Sequence, residues 1–123
     1  MSPPGPLRFL FDGCVNRHLI GALLALEPAV DVIAVGQPGA PPKRTPDPDL
    51  LLVAEASGRT IVSGDRGTMP RHEKAHRAAG HHTWGLILLR GGFPVSRYAS
   101  DLHLIWACES PADWVDRTDY IPY

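Results

Sequence analysis

Two short apolar runs each stop at an aspartate: Arg8-Phe9-Leu10-Phe11 leads into Asp12, and Thr60-Ile61-Val62-Ser63-Gly64 leads into Asp65. A β-rich run that ends on a carboxylate beside turn residues puts the acid at the carboxyl end of a strand, where open α/β sheets bind ligands. Neighbouring carboxylates repel, or one takes up a proton, unless a cation lies between them. Asp12 and Asp65 are therefore candidate ligands for a hard divalent ion, Mg²⁺ or Mn²⁺. The competing reading is that each caps a turn, next to Gly13 and Gly64. Further acids stand in Asp47-Pro48-Asp49, which opens an apolar-periodic stretch. Asp47 there reads as an N-cap with proline at N1, and Asp49 as a complement to the helix dipole.

A second constellation suggests different chemistry. His72-Glu73-Lys74-Ala75-His76 satisfies HExxH, and His82 lies ten residues after His72. That is the pattern of a zinc metalloprotease, with Glu73 as general base. The longer signature wants glycine where Ala79 stands, and no methionine follows to make a supporting turn. The stretch also looks too polar to bury a face, so the expectation is a His-rich surface helix. Cys14 has no identified partner base and reads as a small buried residue. Lys43, Arg44, Arg66, Arg71 and Lys74 are candidates for phosphate contacts, each weighed against a role as solvated charge.

The elements that must position these groups follow from periodicity. Leu7–Phe11 reads as a buried strand, followed by a helix from about Asn16 to Leu26 and a strand at Asp31–Val35. Residues 36–46 are too rich in Pro and Gly to be regular. A helix opened by Asp47 and closed by Gly58 precedes a strand at Thr60–Ser63. The pattern continues with a short polar helix at Pro70–Ala79, a strand at Trp84–Leu89, a helix at Ser96–Cys108 and a last strand near Tyr120-Ile121. Strands alternating with helices predict a three-layer α/β/α fold with a mostly parallel sheet of four or five strands. At 123 residues this is one domain, 1–123.

Composition agrees with a globular chain, at 44% hydrophobic and 20% charged residues. The net charge of −1 does not announce a nucleic-acid binder, although residues 1–100 carry 11 basic and 8 acidic groups, a balance of +3. Cys14 and Cys108 form no CxxC pair, which suggests reduced thiols in a cytoplasmic protein. No stretch has the ~20 apolar residues of a membrane span, and the N-terminus does not read as a signal peptide.

The runs RFLFDGCVNRHLIGALLAL, TPDPDLLLVAEASGRTIVSGDRGTMP and WGLILLRGGFPVSRYASDLHLIWACES, with a closing DW, resemble in order a small bacterial branch of the PIN-domain-like superfamily. The resemblance implies a compact α/β/α nuclease-like fold whose acids hold Mg²⁺ or Mn²⁺ for hydrolysis of RNA phosphodiesters. It also implies RNA as substrate and, as in related toxins, an antitoxin protein as partner; a homodimer is a further expectation. On this sequence the family acids fall on Asp12, Asp47 and Asp65, with Asp49 as a second candidate metal ligand. The motif asparagine falls on Asn16, which joins Arg66, Arg71, Lys43 and Arg44 as expected substrate-binding residues. Gly13 and Gly67 stand where the family commonly has further acids, and Gly64 where it often has histidine. Each lost ligand weakens a metal site, which leaves open slow turnover, a single ion, or a module that binds RNA or protein without cutting.

Overall fold

A computed structural model describes residues 2–123. Five strands, β1 (Arg8–Phe11), β2 (Asp31–Ala34), β3 (Thr60–Ser63), β4 (Leu86–Leu89) and β5 (Thr118–Ile121), form one sheet in the order β2-β1-β3-β4-β5. Every neighbouring pair is parallel, so the predicted parallel α/β/α arrangement holds with five strands. The helices are α1 (His18–Leu26), α2 (Asp47–Ser57), α3 (Met69–Ala78) and α4 (Val95–Cys108), and a short 3-10 turn spans Pro111–Trp114.

Strand alternation sorts the core into two layers. Phe9, Phe11, Val62, Ile87 and Ile121 face one way and pack with Leu19 and Leu23 of α1 and Tyr98, Leu102 and Ile105 of α4. Leu10, Ile61, Leu86 and Leu88 face the other way, against Leu50, Leu51 and Ala54 of α2 and Met69 of α3. Each large apolar side chain so buried contributes about 1.5–3 kcal/mol relative to leaving it in water. Trp114 is fully buried, whereas Trp84 and Trp106 are half-buried.

The connections have one asymmetry. From β1 to β2 the chain steps one way along the sheet, and from β4 to β5 it steps the other way. Since α1 and α4 share a face, those two crossovers have opposite hands. The α2 and α3 connections lie on the second face and share the hand of β1–α1–β2. The exception brings α4 against α1, and with it the β4–α4 loop beside the first strand's carboxyl end.

Three helices differ in detail from the sequence expectation. The first helix begins at His18 rather than Asn16, because Asn16 Oδ1 accepts the His18 N–H at 3.0 Å and so stands ahead of the first turn. At the second, Pro46 is the N-cap and Asp47 the first helical residue, with no side-chain cap bond, so Asp47 is not the cap its sequence suggested. Gly58 does end that helix in the left-handed region, with φ 70°, as expected. The third is not the fully solvated helix expected, since it buries Met69, Glu73 and His76.

Candidate functional site

Strand order reverses direction between β1 and β3, which makes their carboxyl ends the topological switch point of the sheet. Asp12 follows β1 directly, and its N–H still bonds the Val62 carbonyl at 2.9 Å, so the ladder carries one residue past the strand. Alternation then turns Asp12 to the same side as Leu10, the α2 side, beside Ser63. Ser63 is fully buried and links the two acidic motifs: its hydroxyl donates to Asp12 Oδ2 at 2.8 Å and accepts the Asp65 N–H at 3.0 Å.

Asp65 is held by the turn that leads into α3. Its Oδ1 accepts N–H groups from Gly67 (3.1 Å) and Thr68 (2.9 Å), and its Oδ2 accepts the Thr68 hydroxyl. The Thr68 hydroxyl, then the backbone N–H groups, hold this carboxyl below the ordinary aspartate value. Asp47 behaves in the opposite way. Burial, and then the negative charge of Asp12, push it up, His72 opposes this, and Asp65 adds to it. His72 Nε2 lies 3.9 Å from Asp47 Oδ2. Asp12, Asp47 and Asp65 thus share one electrostatic neighbourhood, although their oxygens do not close to within 4.8 Å of one another as a set of three.

Two grooves meet at Cys14. One, of about 360 Å³, is lined by Asp12, Arg17, Lys43, Arg44 and Thr45 among others. The second, of about 230 Å³, is lined by Asn16, Arg66, Arg90 and Phe93 with the aromatic wall of Tyr98. Asp12 thus shares the first groove with Arg17, Lys43 and Arg44, while the second brings Arg66 and Arg90 to the far side of Cys14; Asp47 and Asp65 line neither. Of the residues singled out from sequence, Asn16, Lys43, Arg44 and Arg66 line these grooves. Arg71 and Lys74 line neither, and Asp49 is an exposed first-turn acid. Sequence reading missed Ser63, Thr68, Arg17 and Arg90. The period-2 pattern Leu10/Asp12 beside Ile61/Ser63 was the available signal for Ser63.

Cys14 is exposed, not buried as expected, because it lies in the turn after Asp12. Its sulfur is 3.8 Å from Ser63 Oγ, and partial burial followed by the charge of Asp12 pushes the thiol up, which disfavours a thiolate nucleophile.

The HExxH residues do not assemble as a protease would need. Glu73 is buried in an ion pair with Arg77, with Arg77 Nη2 to Glu73 Oε2 at 3.1 Å. His72 leans toward Asp47, and His82 Nδ1 sits 2.9 Å from Asp116 Oδ2. His76 instead meets Glu55 and His81, each ring nitrogen 3.0 Å from Glu55 Oε1.

All-oxygen donors in a partly desolvated cluster of like charges suit a hard divalent ion. Ser63 occupies Asp12 Oδ2, and Asp47 makes no cap bond that an ion would have to displace. Among the described residues, no helix is long and apolar enough to cross a membrane. No family model, curated protein or solved structure matches this chain.

Proposed function

We propose that the chain is a PIN-like, Mg²⁺- or Mn²⁺-dependent ribonuclease acting in the cytoplasm, as the toxin of a toxin–antitoxin pair. The observation that carries this reading is geometric: at the switch point of the sheet, Ser63 joins Asp12 (2.8 Å) to the Asp65 backbone (3.0 Å), and Asp47, pushed up by burial and then by Asp12, lies in the same neighbourhood. A divalent cation relieves the repulsion among these acids. Asp12 and Asp47 would hold the ion, with Asp65 contributing through the lone pairs of Oδ2 that Thr68 leaves free. When bound, such an ion orients a water for in-line attack and neutralises charge on the leaving oxygen.

The remaining work belongs to the chain's own side chains. Ser63 fixes the Asp12 carboxylate by donating to Oδ2. Arg17, Lys43 and Arg44 in one groove and Arg66 in the other engage backbone phosphates and keep the scissile bond over the acids. Gly13 and Gly67 stand where the resemblance implies further acids, so an ion here would draw on few protein oxygens beyond those of Asp12, Asp47 and Asp65.

The test is cleavage of a mixed RNA pool with Mn²⁺. Asp12→Asn and Asp47→Asn remove ligands without removing a helix cap, and each is expected to lower the rate at least about a hundredfold, several kcal/mol of charge stabilisation being at stake. Asp65→Asn is a poorer probe, because it also disturbs the turn before α3. A second reading, a module that binds RNA or protein without hydrolysis, is favoured by the three hydrogen bonds that commit Asp65 to the turn before α3. RNA retention with no Mn²⁺-dependent cleavage above a blank would select it.

A further inference from the structure

At the opposite end of the α2–α3 pair from the acids, Glu55 near the end of α2, His76 near the end of α3 and His81 before β4 converge. Their ligand atoms all lie within 4.8 Å of one another. Glu55 Oε1 is 3.0 Å from both His76 Nε2 and His81 Nδ1, and the His82 carbonyl oxygen is 2.9 Å from the same His76 nitrogen. Donors held about 2.0–2.1 Å from a tetrahedral zinc ion sit about 3.3 Å apart, so these separations need only a few tenths of an ångström of spreading.

We propose that Glu55, His76 and His81 form a zinc site distinct from the aspartate cluster, with the His82 carbonyl or a water in the fourth position. Two imidazoles and one carboxylate are ligands suited to zinc, and a mixed N/O set of this kind does not select magnesium. The site also has the features that separate a built site from a chance cluster. Glu55 Oε2 accepts the His82 N–H at 3.2 Å, which orients the carboxylate from behind. His76 is buried and its ring stacks on that of His81, with centroids 4.7 Å apart. A groove of about 230 Å³, lined by Pro48, Leu52, His72, Ala75 and the two histidines, gives an ion a way in from solvent. Coordination requires only neutral tautomers, with the proton of His76 on Nδ1 and that of His81 on Nε2, so no charge is stranded. Such an ion would tie α2, α3 and the loop before β4 into one unit.

The test uses the full chain freed of metal by a chelator and dialysis. Titration with Zn²⁺ by calorimetry is expected to give one equivalent, and Co²⁺ to give the visible bands of a four-coordinate ion. His81→Ala and Glu55→Gln, both at partly exposed positions that leave buried His76 in place, are each expected to weaken Zn²⁺ at least about tenfold. His72→Ala is expected to leave affinity unchanged. Saturating Zn²⁺ should raise the melting temperature of the parent chain and not that of His81→Ala. Substoichiometric binding, or binding that survives both His81→Ala and Glu55→Gln, overturns the proposal. Binding abolished by Asp12→Asn instead would put the ion at the aspartates and overturn it equally.

Discussion

Asp47 and Asp65 share one chemistry and differ in what surrounds them. Thr68 and the turn that leads into α3 hold Asp65 low, while burial and Asp12 push Asp47 high. Their contributions to stability then have opposite signs. A lowered folded value gives stability that is present above the unfolded value, near pH 4, and is lost as pH falls through the folded one. A raised folded value means the native state binds the proton more readily, so stability declines as pH rises from about 4 through that value. Urea unfolding at pH 7 should find Asp65→Ala less stable by about 1 kcal/mol, the usual net worth of the side-chain hydrogen bonds it makes to the turn before α3. Asp47→Asn should be at least as stable as the parent, by up to about 1 kcal/mol, with the difference gone by pH 3. An Asp47→Asn variant that is weaker at pH 7 would show that the carboxylate is stabilising, contrary to its surroundings.

At the level of elements, the tightest constraint lies just ahead of β4. Gly85 has φ 103°, and a Cβ there would meet Trp114 Cε3 at 2.7 Å and its Cβ at 3.0 Å. Trp114 is fully buried and has little room to yield. Gly85→Ala should therefore cost at least about 2 kcal/mol, from backbone strain plus overpacking, and lower the melting temperature by about 5–10 °C. Gly21→Ala, in α1 with nothing within 4 Å of the added atom, should instead raise it slightly. Which elements exist was legible from the chain, since Leu19/Leu23 and Tyr98/Leu102/Ile105 repeat at helical spacing and Thr60–Ser63 reads as a strand. Which face of the sheet each helix covers was not. A stripe on α4 says that it packs, and only the assembled sheet says that it packs with α1. Asp12 and Asp65 were legible as strand-end acids, and Asp65 as a turn cap beside Gly64, whereas the added bond from the Thr68 hydroxyl gives no periodic signal.

For the whole molecule, charge is arranged rather than abundant. A net charge of −1 conceals a carboxyl-end surface where Arg17, Lys43, Arg44 and Arg66 line the two grooves that meet at Cys14. On the proposed function, affinity for single-stranded RNA, measured on Asp12→Asn, should fall with salt at a slope of about −0.7 per phosphate contacted. The paired variant Lys43→Ala with Arg44→Ala should reduce that slope by about 1.4, while Arg71→Ala, outside both grooves, should leave it unchanged. Equal effects from all three cations would mean that no groove is singled out. The all-parallel sheet has a consequence for synthesis as well. Phe9 pairs with Thr60, about fifty positions later in the chain, and no adjacent strands are joined by a hairpin. On the ribosome, at about 5–20 residues per second, the greasy Phe9-Leu10-Phe11 segment waits several seconds for its second neighbour. That interval is when the newborn polypeptide is most open to capture by a chaperone or to clumping with its siblings.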